Sequence, residues 1–289
     1  MYALLKHLIA IIPYFIWKRL GKTRGKSNFF FTDGVKIYYE DHGAGEAVIL
    51  LHGIAGFVES FYKITPKLSK SYRVIAMDSR GQGRSLDGGK EISYSAMSKD
   101  VIELLNHLGI RKANVVGWSD GGIIALHLAI HNRDRLRAIV AIAANSKVEG
   151  LTDYGLNFFQ NVTPENWSFM SRWAYKNFAP HPENWPELIY KLKEMILTSP
   201  NYSYEDISSI KIPTLLVIGK KDHLVRVEHN SKIMELISGS ELIVFKSATH
   251  HLPLECPNEL VNIIDIFIHE HTARNISLSE IFWTKNTPS

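Results

Sequence analysis

A chain of 289 residues, 45% hydrophobic and 21% charged, has the composition of a folded domain with a substantial core, which excludes disorder, collagen and coiled coil. One cysteine, Cys256, excludes an internal disulfide, a cysteine-based zinc site and an iron–sulfur cluster. The net charge of +4 arises from residues 1–27, which hold six bases and no acid; the other 262 residues sum to −2, so no basic folded surface for nucleic acid is expected.

The first feature along the chain is an uninterrupted apolar run, Leu8–Trp17, followed by Lys18, Arg19, Lys22, Arg24 and Lys26. The run is shorter than the roughly 20 residues a helix needs to cross a bilayer, and Pro13 would kink it. Basic residues where a cleavage site would fall argue against a secretory signal. Residues 1–27 therefore read as a membrane-surface anchor, with Leu8, Ile12, Phe15 and Ile16 in the lipid boundary and the cations facing anionic headgroups. The alternative is a helix packed on the protein or on a second subunit. The chain is otherwise expected to be cytoplasmic.

From residue 28 strands and helices alternate. Phe29–Thr32 and Val35–Asp41 flank a hairpin turn at Asp33-Gly34. Ala47–Leu51 and Tyr72–Met77 are short apolar runs that end at His52-Gly53 and Asp78. Ser95 is read as the cap of a helix over 96–108. Ala113–Trp118 predicts a strand, Ile123–Ile130 a helix and Leu136–Ala143 another strand. The alternation implies an α/β fold, a mostly parallel sheet with helices on both faces.

Between Ser146 and Asp206 the rhythm breaks into proline-punctuated helical patterning. That stretch holds 12 of the chain's 31 aromatics, and eight acids against five bases. Thr214–Gly219, Val227–Ile237, Leu242–Phe245 and Pro257–Glu270 then resume the alternation. Residues 28–145 and 207–271 are thus read as one α/β core, 146–206 as an insertion and 272–289 as a tail.

The chemistry centres on Gly117-Trp118-Ser119-Asp120-Gly121-Gly122, where a strand meets a helix. A sharp turn there lifts the Ser119 hydroxyl clear of the sheet, the setting of a nucleophile rather than a structural serine. Such a hydroxyl needs a base, and the base needs an orienting acid, on loops at the C-terminal ends of later strands. Asp222 follows Thr214–Gly219, while the loop after Leu136–Ala143 offers only Asn145. His250 and His251 follow Leu242–Phe245, and residue type alone leaves them, with His223, in competition for the base. The oxyanion hole calls for two backbone N–H groups, assigned to Asp120 and Ile54. His52 reads as a tether of that loop. Trp118, and Trp167 and Trp173 of the insertion, are candidate substrate-binding aromatics.

Together these segments resemble the α/β-hydrolase superfamily over roughly residues 28–270. The resemblance rests on His52-Gly53, on Asp78-Ser79-Arg80-Gly81-Gln82-Gly83-Arg84-Ser85, on the Ser119 elbow, on Asp222, and on His250 with Glu255 and Pro257 after it. It implies a Ser119–His250–Asp222 triad, because relatives place the histidine five residues before such a glutamate, and it makes 146–206 a helical cap. Thr249 departs from the glycine common at that position. The elbow is similar to that of the valacyclovir-hydrolase (biphenyl-hydrolase-like) subgroup, which implies α-amino-acid esters as substrates and Asp120 as the group that meets their ammonium. The competing role for Asp120 is to favour the helix N-terminus.

The expected activity is hydrolysis of a carboxylic ester or related acyl bond on a small molecule, through an acyl-enzyme and without metal or organic cofactor. Lactonase or C–C bond hydrolase chemistry on the same scaffold, and a non-catalytic ligand receptor, are the alternatives.

Overall fold

Ala47–Leu51 and Thr214–Gly219 show no polar alternation, the pattern of strands covered on both faces, and all their residues are buried. They lie inside an eight-stranded sheet in a computed structural model that describes residues 28–272. The anchor reading of residues 1–27 lies outside the described residues, as does the tail after Thr272.

The strands are β1 (Asn28–Thr32), β2 (Val35–His42), β3 (Ala47–Leu51), β4 (Arg73–Met77), β5 (Ala113–Trp118), β6 (Leu136–Ile142), β7 (Thr214–Gly219) and β8 (Glu241–Phe245). Their order is β1-β2-β4-β3-β5-β6-β7-β8. β2 pairs antiparallel with β1 and β4, and every other pairing is parallel. The mostly parallel α/β sheet expected from the alternation is the observed fold.

Side chains alternate between two cores. In β6, Leu136, Ile139 and Ala141 join one apolar cluster, and Ala138, Val140 and Ile142 the other. The helices Tyr94–His107 and Asp120–His131 cover the first face, the former through Met97, Val101, Leu104 and Leu105 at helical spacing. The helix Pro257–Thr272 covers the second with Leu260, Ile263, Ile264 and Phe267.

Two boundaries differ from expectation. The first helix is capped by Ser93, not Ser95: Ser93 is extended and its Oγ accepts the Ala96 N–H at 3.2 Å. Tyr94 is buried as the first helical residue, which moves the cap two residues earlier. The helix after β5 starts at Asp120 rather than near Ile123, because the Ser119 carbonyl already accepts the N–H groups of Gly122 and Ile123.

Residues between β6 and β7 form the helices Asp153–Asn161, Phe169–Phe178, Trp185–Thr198 and Tyr204–Ser208. Pro186 sits in the first turn of the third, where a missing N–H costs nothing. Ring contacts of Trp167 with Phe158, Phe159 and Trp185 knit this stretch together, and Phe159 and Trp167 join the first apolar cluster of the sheet. Among the described residues, no helix is long and apolar enough to cross a membrane.

Candidate active site

Parallel strands bring the loops after β3, β5, β7 and β8 to one edge of the sheet. Ser119 is the corner between β5 and the following helix, with φ 55° and ψ −119°, a conformation L-residues rarely hold. Its N–H donates to the Ile142 carbonyl at 2.8 Å, and its own carbonyl binds the helix's first turn. The crossing is tight enough to require glycine: a Cβ on Gly117 would run into the Gly121 carbonyl, and one on Gly121 into that of Leu51.

His250, on the loop after β8, stands between the other two polar partners. Its Nε2 lies 3.0 Å from Ser119 Oγ and its Nδ1 2.9 Å from Asp222 Oδ2. With the proton on Nδ1 donated to Asp222, Nε2 is free to accept from the serine hydroxyl. Asp222 Oδ1 accepts the N–H groups of Leu224 and Val225 at 2.8 and 2.9 Å. Burial pushes the Asp222 carboxyl up, but the bonds from His250 and the two amides outweigh it and hold the group below the usual carboxylate range.

The adjacent histidines are placed differently. His251 is exposed, with its ring edge-on to Trp118 at 5.8 Å. The His223 ring is 6.5 Å from that of His250. The loop register is held by contacts that residue types alone did not reveal. Thr249 donates its N–H and its hydroxyl to Glu255 at 2.8 and 2.6 Å, and Trp118 Nε1 donates to the His250 carbonyl at 2.8 Å. Threonine in place of the usual glycine therefore adds a bond to Glu255.

The loop after β3 closes on the serine from the other side. A Cβ on Gly53 would sit 3.1 Å from that of Ser119. The N–H groups of Ile54 and Asp120 donate to no described residue, which leaves them open to an anionic oxygen. His52 tethers this loop: its Nδ1 donates to the Gly53 carbonyl at 2.7 Å and its Nε2 accepts the Ser79 N–H at 3.0 Å. Burial lowers its pKa to about 4, so it stays neutral.

Ser119 and His250 line a cavity of about 500 Å³, together with Trp118, Trp167 and Leu224. Phe57, Phe158 and Phe159, which patterning did not single out, also line it. Two expected substrate-binding residues do not. Trp173 packs edge-on against Phe178 of its own helix, Phe169–Phe178, at 5.8 Å and is half-buried, while Ala174 and Tyr175 form the buried face. Asp120 is only 2% exposed: the first helical turn directs its carboxyl into the core, where it accepts the Tyr94 hydroxyl at 3.1 Å. Burial pushes that carboxyl up to about 7, against the Tyr94 bond and the nearby His250.

The segment from Asp78 to Ser85 serves the surroundings of the site. Asp78 accepts the N–H groups of Val58 and Arg84 at 2.6 and 2.8 Å. The Arg84 guanidinium pairs with Glu59 at 2.6 Å and lies over the Phe178 ring at 4.2 Å, joining the sheet to the helical segment above it.

Known proteins share this arrangement of chain. A family model described as alpha/beta hydrolase fold matches residues 46–194. The human serine hydrolase BPHL is 29% identical over 251 residues, covering 82% of this chain and 84% of its own length. The 3-oxoadipate enol-lactonase 1 of Acinetobacter baylyi is 27% identical over 220 residues, 70% of this chain and 80% of its own. A crystal structure of a serine hydrolase involved in carbazole degradation superposes with a TM-score of 0.72 at 24% identity, covering 84% of this chain and 98% of that one.

Proposed function

The chain belongs to the α/β-hydrolase family, and from that premise we propose that it is a serine hydrolase of carboxylic esters or related acyl bonds. The observation that carries the reading is His250 spanning Ser119 Oγ and Asp222 Oδ2 at 3.0 and 2.9 Å on the wall of the cavity.

Ser119 Oγ attacks the acyl carbon as His250 Nε2 takes its proton, and Asp222 orients the imidazole and stabilises its charged form. The carbonyl oxygen becomes an oxyanion between the N–H groups of Ile54 and Asp120, in reach of the positive end of the following helix. The imidazolium returns its proton to the leaving alcohol. Water activated by the same base then releases the acid and regenerates the hydroxyl. The helical segment 146–206 acts as a cap, contributing Trp167, Phe158 and Phe159 to the substrate's surroundings. Residues 1–27 bring this catalyst to a membrane surface.

Lactonase chemistry follows the same steps with the leaving alcohol tethered to the acyl group. Of the ester branches, α-amino-acid esters would require the Asp120 carboxyl to meet an ammonium, and its burial against Tyr94 favours esters without one. The deciding comparison is kcat/KM for an α-amino ester against its des-amino analogue, in wild type and Asp120→Asn. Equal values in wild type support the plain-ester reading; an amino preference lost in Asp120→Asn overturns it.

The reading as a whole is tested by fluorophosphonate labelling and by the burst of 4-nitrophenol from a chromogenic ester. Label on Ser119 and a stoichiometric burst, both absent in Ser119→Ala, support it. A protein that binds the ester without burst or label is a receptor and not an enzyme.

A further inference from the structure

The cavity wall has a charge pattern that narrows the substrate further. Among the described residues, no lysine or arginine lines it. Two acids do, and both are engaged: Glu59 with the Arg84 guanidinium, and Glu255 with Thr249. Lys63 is tied to the Leu254 carbonyl at 2.7 Å. A carboxylate on the substrate would lose its hydration and meet, of basic groups, only the imidazoles of His223, His250 and His251, and desolvation lowers the His251 pKa to about 4. An ammonium would find no carboxylate without a partner.

Most of the remaining wall is apolar, with Phe57, Trp118, Phe158, Phe159, Trp167 and Leu224, and Ser60, Tyr62, Ser168 and Ser171 add uncharged hydroxyls. Of the wall residues, Tyr154 is 59% exposed, and Phe169, next to the wall residues Ser168 and Met170, is 51% exposed. These two aromatics mark the open side. The leaving group departs after the first half-reaction while the acyl group stays bonded to Ser119, so the enclosed part of the cavity serves the acyl group.

We infer that the substrate is an ester of an uncharged, medium-length acyl chain, a reading that rests on the serine-hydrolase function proposed above. At interior packing density a methylene occupies roughly 27 Å³. A cavity of about 500 Å³ thus holds an acyl chain of roughly 8–12 carbons and leaves space for a compact leaving group. Each methylene transferred from water to this wall raises kcat/KM by up to about fourfold until the space is filled.

The experiment measures kcat/KM for monomeric 4-nitrophenyl esters from acetate to palmitate. It adds the adipate monoester and the 6-aminohexanoate, which put a carboxylate or an ammonium at the end of a chain the length of hexanoate. The expected result is a rise of at least tenfold from acetate to a maximum between octanoate and dodecanoate, with both charged esters at least tenfold below hexanoate. A maximum at acetate, or a charged ester equal to hexanoate, overturns the inference while label on Ser119 leaves the hydrolase reading standing. Absence of label and turnover overturns both. A second variant tests the charge argument directly: Met170→Arg places a cation on the wall and should raise the adipate-to-hexanoate ratio of kcat/KM about tenfold. An unchanged ratio overturns the claim that the missing cation sets the discrimination.

Discussion

Ser119 and Asp120 are neighbours in sequence and opposites in environment. Ser119 stands at the cavity in a strained backbone conformation, while the Asp120 side chain is sealed beneath it. Ser119→Ala or His250→Ala should lower kcat by four to six orders of magnitude with an unchanged circular dichroism spectrum, whereas His251→Ala should keep most activity. A dead His251→Ala beside an active His250→Ala would shift the base by one residue. Asp120 predicts a pH effect on stability. Its folded carboxyl keeps a proton up to about pH 7, and the unfolded one releases it near 3.8. Between those values the folded state binds the extra proton, so this group makes stability fall as pH rises from about 4 to about 7. Asp78, also raised to about 7 by burial, adds a second contribution of the same sign. Asp120→Asn should therefore lessen, without abolishing, the fall of Tm across this window. An unaltered slope would show that Asp120 is ionised throughout.

At the scale of elements, the loop after β8 depends on Glu255, which fastens Thr249 immediately before His250. Glu255→Gln weakens that fastening without touching the reacting atoms. The expected outcome is a kcat about tenfold lower with KM little changed, and a broader pH–rate profile as the imidazole loses its fixed orientation. A change confined to KM would assign Glu255 to substrate contact instead. Arg84 ties the sheet to the segment 146–206 through Glu59, Asp78 and the Phe178 ring. Arg84→Ala removes the guanidinium that two buried carboxylates share, and should cost about 3–5 kcal/mol in urea unfolding. A loss below about 1 kcal/mol would mean that the guanidinium adds no net stability at this junction.

For the whole molecule, residues 1–27 and the described core are expected to separate in function. Deleting 1–27 should leave kcat/KM on a soluble ester near normal while reducing binding to anionic vesicles; a truncated protein that fails to fold would make the segment part of the core. The fold itself was legible in the linear chain. Apolar runs such as Ala47–Leu51 and Thr214–Gly219, spaced by helical patterning, leave a sheet covered on both faces as the packing that buries them all. The elbow was legible for a local reason: Gly117 and Gly121 answer a steric demand between residues close in sequence. That Asp222 stands on a loop at the serine's edge of the sheet was legible as well, because strand order limits which loops reach it. Residue types could not separate His250 from His251, since the contacts that hold the register, Thr249 to Glu255 and Trp118 to the His250 carbonyl, depend on how two loops meet. Nor could they show which aromatics face the cavity, or that the Asp120 carboxyl turns away from it. The direction of a side chain at a helix start, and the face that a short helix presents, are set by packing against distant segments, as Tyr94 does for Asp120 and as Phe57 and Arg84 do for Phe178. Sequence thus determined the scaffold and the type of chemistry, because both follow from local sterics and burial. Tertiary structure alone decided the charge and shape of the pocket, because these arise where elements far apart in the chain converge.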